Sequence, residues 1–367
     1  MELADLADRM GAFYVPAFHI RVGGRSLLRD IQLAVTQVEV DLSLGVPGRF
    51  SFTVVGCFDM AKRQFQTPSD DAVLDILSFG ASVEVLMGYG GQSELRLMIT
   101  GIITEISTSF GEGGAPELSI AGYDNLFALT LGSRSESWKD SSDSDVVQKI
   151  AAAAGLSTDM DQTGEKHRQV EQNQRSDIDF IKELAGRNHF EFYMSGPNRL
   201  RFGRPNDRGD GLVTLRWGKG LLSFRPEANL ATQISAVEIR HRDANTNKEI
   251  VGRAEAKQAS GIDPGRKSPG ELVKMATGKS PTLTLRQPVF TEAEARRRAE
   301  AILSDASKKF LTGEAECIGM PDLRPDCNVN IADIGKPFSK TYYVEHTTHK
   351  VDSAGYRTRF KVKETSL

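Results

Sequence analysis

"GASVEVLMGYGGQSELRLMITGIITEISTSFGEGGAPELSIAGYD", residues 80–124, reads as strand, glycine turn, strand, strand, glycine-containing turn, strand. "DCNVNIADIGKPFSKTYYVEHTTHKVDSAGYRTRFKVKE", residues 326–364, repeats that order with few identities. In the first stretch Val83, Val85 and Met87, then Leu95, Leu97 and Ile99, recur with a period of two. That period turns one face of a strand into a core and the other towards water or a partner. The pair of stretches is a weak internal repeat and predicts two similar β-modules in one chain.

The same alternation extends upstream, with Val38, Val40, Leu42 and Leu44, then Phe50, Phe52 and Val54. "GVPG", "GYGGQ" and "GEGGAP" punctuate the runs. A barrel or sandwich is the natural closure for so many short antiparallel strands.

Residues 134–206 change character. Ser142 and Asp145 have capping-box spacing ahead of an apolar stripe of Val146, Val147, Ile150, Ala151 and Ala154, with Gly155 placed to end the helix. "RSDIDFIKELAGRNHFEFYMSGPNRLRFGRP", residues 175–205, repeats the recipe. Ser176 and Asp179 cap, Ile178, Ile181, Leu184 and Ala185 bury, and Gly186 and Asn188 terminate. A hairpin about "SGPN" follows. β patterning returns from Leu215, interrupted by a Gly-, Pro- and Lys-rich stretch read as a long basic loop, 253–286, and by a helix over 291–310 opened by Thr291 and Glu294.

These readings divide the chain into an N-terminal arm (1–12), a first β-module (13–133), a small α/β domain (134–206) and a second β-module (207–367). The expected fold class is mainly β, with two similar antiparallel β-modules, each closing as a barrel or a sandwich, flanking a small helix/hairpin domain.

The 367 residues carry 46 basic and 49 acidic side chains, a net charge of -3, which argues against bulk binding to nucleic acid or acidic lipid. Cys57, Cys317 and Cys327 are odd in number and far apart, which fits a reducing cytoplasm. The N-terminus lacks a signal-peptide pattern, and no apolar run reaches the roughly 20 residues that span a bilayer. Assembly in the cytoplasm without membrane insertion is expected.

Candidate chemistry is thin. "ATGKS" at 276–280 lacks the glycine a phosphate loop needs at 273, where Val stands. His346 and His349, three apart on a strand, point to opposite faces and make a poor metal pair; both are read as half-exposed. His189 follows a helix end, where it suits terminal carbonyls, and Asp177 and Asp179 sit in a first turn, where carboxylates complement the helix dipole. Hydrolase, zinc and dinucleotide motifs are absent, so no catalytic, cofactor-binding or metal residue is assigned. The basic residues of 253–286 form either a solvated loop or an arm for an acidic neighbour. Arg357, Arg359, Lys361 and Lys363 share one side of a strand, opposite Thr358, Phe360 and Val362. They either guard an edge, line a channel or meet an acidic partner.

Residues 175–205, "GKGLLSFRPEANLATQISAVEIRHRDANTNKEIVGRA" (218–254), residues 313–364 and "GYDNLFAL" (122–129) together resemble the phage late control D family of tail baseplate hubs. That family extends to the hub portion of VgrG spike proteins and of contractile injection systems. The resemblance covers most of the chain from about residue 13 to 364 and implies that each subunit holds two tube-like antiparallel β-barrels, 13–133 and 207–367, in a homotrimer with no catalytic residues. Three copies of a two-barrel chain would present six similar units to a tail tube protein and three-fold symmetry to a spike. The chain ends at Leu367 without room for a fused needle, so a separate spike protein and other baseplate proteins are the expected partners. Leu3, Leu6 and Met10 form an apolar stripe expected at the subunit interface. A tail-associated cell-wall hydrolase and a glycan-binding β-protein remain the alternatives.

Overall fold

The computed structural model describes residues 2–9, 13–164, 166–242, 247–256 and 267–366. The fold class is the expected one: mainly β, with two strand modules flanking a small α/β unit. In the first module the strands run in the order Pro16–Val22, Ser82–Tyr89, Arg96–Ser109, Glu117–Asp124, Arg49–Val55, Ala34–Ser43. The second follows with Thr214–Trp217, Asn328–Ala332, Lys340–Asp352, Gly355–Glu364, Leu311–Ile318 and Gly220–Ala228. This second set closes into a six-stranded barrel, because Thr214–Trp217 pairs parallel with both Asn328–Ala332 and Gly220–Ala228.

The two stretches that open the reading above are both antiparallel meanders, and the correspondence extends to register. Ser82↔Ile102 matches Asn328↔Tyr343, and Ile103↔Gly122 matches Val344↔Val362. Val54↔Leu118 matches Cys317↔Thr358, and Asp41↔Arg49 matches Glu227↔Thr312. Bulges recur at equivalent places, between Ile103/Glu105 and Val344/His346, and between Val35/Gln37 and Leu221/Ser223. Five strands are thus duplicated in order and register. The sixth is not: Pro16–Val22 runs antiparallel to its neighbour, Thr214–Trp217 parallel.

Lys340–Asp352 joins the modules. One edge pairs with Gly355–Glu364. Along the other, Lys340 to Tyr343 pair with Asn328–Ala332, and after the bulge His346 to Val351 pair with Ala34–Ser43. Its inward residues feed two cores. Tyr342 and Val344 pack with Leu215, Val329, Phe360 and Val362, whereas Val351 packs with Val38, Val40, Phe50 and Phe52.

The α/β unit has its own core of Trp138, Val147, Phe180, Leu184 and Phe202, with the Trp138 and Phe180 rings stacked at 5.7 Å. Both expected caps form. Ser142 and Asp145 make a reciprocal box, and Ser176 accepts from the Asp179 amide. Gly186, expected to terminate, lies inside the helix Asp177–Asn188; His189 takes the left-handed turn instead, at φ 56°.

The long basic loop of 253–286 is corrected. Ser268 and Glu271 form a capping box with Pro269 in the first turn, starting the helix Pro269–Thr277, and Gly278 ends it in a left-handed turn. Thr282–Arg286 then pairs with Ala236–Arg242, which also pairs with Glu249–Glu255. The helix Glu292–Lys308 covers this three-stranded sheet over Val237, Ile239, Ala254, Ala295, Ala299 and Leu303. Helix and sheet meet closely because Gly252 has no Cβ; one there would lie 2.2 Å from the Ala295 carbonyl carbon. The described residues between 229 and 310 therefore form an α/β insertion where the first module has only the turn 44–48. Arg253, Lys267, Lys274, Lys279 and Arg286 belong to it, while Lys257 and Arg266 lie outside the described residues.

Thr347, on the shared strand, is fully buried, and its Oγ1 has no partner among the described residues. A buried hydroxyl without a partner costs about 1–3 kcal/mol. Thr347→Val should therefore raise unfolding stability by about 1 kcal/mol in urea titration, and a loss would show that the hydroxyl is bonded.

Candidate functional site

The residues that could pass for chemistry are committed to structure. Asp177 accepts from Arg134 Nε at 2.7 Å and from Gln172 at 2.9 Å. Gly278 of "ATGKS" ends a helix and precedes a strand, the reverse of a phosphate loop. His346 and His349 do diverge. His346 is half-exposed and 2.9 Å from Asp41, but His349 is fully buried, not half-exposed, because its strand is covered on that side by both modules. His349 Nε2 donates to the Leu323 carbonyl at 3.0 Å, which leaves Nδ1 to accept from Tyr356 or Thr358. Among the described residues no three His, Cys, Asp or Glu side chains gather as a metal site. No helix there is long and apolar enough to cross a membrane.

Asp143 and Glu294 do share a crevice, with His167, Arg187 and Arg298. Its volume of about 20 Å3 holds a single water, not a sugar ring. The basic row of the last strand is matched by acids: Arg357 and Arg359 reach Glu316 at 2.8 and 3.1 Å, and Lys361 reaches Glu314 at 3.4 Å. Leu3 packs against the second module's own core. The Leu6 side chain and Met10 lie outside the described residues.

A part-buried polar junction instead ties the α/β unit to the second module and its insertion. Asp326 accepts from Tyr193 of the α/β unit at 3.0 Å, from Tyr343 of the shared strand at 2.8 Å and from the Asn206 amide at 2.7 Å. Lys308 and Lys363 lie over the Tyr343 ring, 5.7 and 5.3 Å from its centroid. Lys308 also meets Asp207 at 2.7 Å. His189 Nε2 lies 3.5 Å from the Lys308 ammonium, which can only donate, so Nδ1–H donates to Asp305 at 3.2 Å. Burial pushes the Glu191 carboxyl up, against the pull of Lys363 and Lys308. At Asp305 burial pushes the same way, but the His189 hydrogen bond and the nearby cations outweigh it and hold the carboxyl below its usual range. Signals for this junction were in the sequence only as scattered residues with no common motif.

A cavity of about 250 Å3 lies where the modules and the hairpin meet, lined by Leu42, Val46, Asp124, Tyr193, Met194 and Arg324 among others. Its charged groups are engaged already. Asp124 accepts from the Gly48 and Leu126 amides at 2.8 and 3.0 Å, and Arg324 donates to the Leu97 carbonyl.

Among the described residues, the strand edges left without a partner include one in each module. The ladder with Ser82–Tyr89 ends at Ile102, leaving that side of Arg96–Ser109 without a strand partner beyond Ile103. Gly220–Ala228 meets Thr214–Trp217 only at Gly220 and Leu221. Exposed apolar side chains flank both edges: Phe110 (64% exposed) and Phe79 near the first, Leu222 and Trp217 near the second.

Asp326→Ala should cost on the order of 2 kcal/mol, by stranding the buried Tyr343 phenol and the half-buried Tyr193 phenol. Hydrogen exchange should then quicken throughout the α/β unit before the barrel. Burial raises the Asp124 carboxyl to about 7 and lowers the His349 ring to about 3. Asp124 therefore contributes most below pH 3.8 and loses that contribution as pH rises to about 7. His349 contributes fully above pH 6.5 and loses it as pH falls towards 3. The stability of Asp124→Asn relative to the parent should accordingly improve as pH rises from 3.8 to about 7, read from urea melts; a flat difference would mean that Asp124 titrates normally.

The fold has solved counterparts. The prophage MuSo2 43 kDa tail protein from Shewanella oneidensis superposes with a TM-score of 0.71 at 15% identity, covering 95% of this chain and 98% of that one. A tail protein from Neisseria meningitidis gives 0.69 at 15% identity, with 96% and 97% covered. An E. coli component of the type VI secretion system, described as structurally similar to the T4 tail proteins gp27 and gp5, gives 0.58 at 11% identity, with 95% and 77% covered. At these identities the likeness is one of fold. No curated protein matches the chain by sequence. Residues 14–353 match the family model described as the Alg8 N-terminal domain, and the chain belongs to that family.

Proposed function

We propose that this chain is a structural hub of a contractile tail or tail-like injection system baseplate, in the manner of the late control D proteins that its sequence resembles. Three copies form a ring of six quasi-equivalent strand modules. A six-fold tail tube stacks on one side, a three-fold spike seats on the other, and the channel continues between them. Made in the bacterial cytoplasm, the chain is then built into the particle. Its role is mechanical and needs no cofactor.

The observation that carries this reading is the register-for-register duplication of five strands within one chain. A ring of three then offers six nearly alike surfaces, which is what a six-fold partner requires of a three-fold one. The fold shared with phage tail and secretion-system proteins supports the same reading. The commitment of the ionisable candidates to internal partners favours it over a hydrolase.

Native mass spectrometry of the full chain should give three times 40.2 kDa. Averaged electron images down the axis should show six similar lobes. A species of another stoichiometry, or lobes of two unrelated shapes, would remove the reading.

A further inference from the structure

We propose that copies of this chain join by backbone pairing of two specific edges. Glu105 to Phe110 of one copy would run antiparallel to Phe224 to Asn229 of the next. The register is the one Lys340–Asp352 already makes with Ala34–Ser43 inside each copy. The inference rests on the trimer reading and adds the surface that closes the ring.

The duplication fixes the residue numbers. Glu105 corresponds to His346, since each follows the bulge and faces an equivalent residue, Ala121 or Lys361. Glu227 corresponds to Asp41, since each faces an equivalent residue, Thr312 or Arg49. The internal pairs Thr348↔Asp41, Thr347↔Leu42 and Val351↔Val38 therefore become Ser107↔Glu227, Ile106↔Ala228 and Phe110↔Phe224 between copies. In each chain the second module already docks on the first through this contact. The first module carries the same docking strand, and the second module the same receiving strand, both with that side open.

Backbone direction agrees. Leu44 donates to Glu345, so along the alternation Leu42, Val40 and Val38 turn their polar groups towards the shared strand. Asn229 donates to Phe310, so Ala228, Pro226 and Phe224 turn theirs away from Leu311–Ile318, outward. These are the corresponding residues. Pairing would also cover Phe110, 64% exposed, and Leu222, 46% exposed. Pro226 lacks an N–H, so the ladder between copies has one bond fewer than the internal one, and an isolated edge resists stray pairing. Each copy presents each edge once. Such a head-to-tail contact closes into a ring when the rotation per copy allows it.

The test is a disulfide across a non-hydrogen-bonded pair, where Cα atoms lie about 4.5 Å apart, within disulfide range. Ser107→Cys with Glu227→Cys in the full chain should, on oxidation, shift most of the protein to a band of three chains on a non-reducing gel. Ser107→Cys with Ser223→Cys, displaced by roughly 13 Å along the strand, should stay unlinked. Thr108→Pro, which removes only an outward-facing donor, should abolish the trimer in sedimentation while the thermal midpoint holds. A trimer that does not link at 107 and 227, or that links equally at 107 and 223, overturns the pairing and leaves the hub reading standing. A chain that stays monomeric and unlinked overturns both.

Discussion

A β-strand has two hydrogen-bonding edges, and Lys340–Asp352 uses them to hold three neighbours. It does so because Asn328–Ala332 stops short, so the freed half of the same edge passes to Ala34–Ser43. Side chains alternate along a strand, so a slip of one residue would expel Val344 from one core and Val351 from the other together. The polar junction is tied to this strand too, through Tyr343. It pairs one module with the other, and through Tyr343 it shares in the bond that holds the α/β unit to the barrel.

The two modules show what duplication preserves and what it frees. Ladder register is preserved because each ladder is locked by buried alternation on a packed face. The turn 44–48 carries no such constraint, and at the equivalent place the second module accommodates the α/β layer of 229–310. The sixth strand is also free to differ. It closes one module on itself and leaves the other to be completed by its neighbour in the chain.

Charge is deployed in the same structural sense. Histidines, paired acids and a row of basic residues resemble functional clusters in one dimension. In three dimensions, Arg357 and Arg359 meet Glu316, His189 bridges Asp305 and Lys308, and Asp326 gathers two phenols. Where such groups are part-buried and lie between units, as at Asp326 and Lys308, they fix angles that apolar packing alone would leave less specific.

Much of this was legible locally. Period-two alternation marked the strands. Ser142, Ser176 and Thr291 marked helix starts, because a cap is a contact between residues three apart. "SPGE" at 268–271 carried the same signal, but the Gly, Pro and Lys around it read as loop, and its helix was missed. His349 was misjudged because its burial depends on strands distant in sequence. The paired meanders, too, were visible as pattern. By itself, then, the sequence determined the strands, the caps and the repeat, all set by neighbours along the chain. The tertiary structure alone decided that one strand would serve both modules, that one barrel would close while the other stays open, and that Asp326 would meet Tyr193. Those outcomes depend on contacts between residues far apart along the chain, for which local periodicity holds no record.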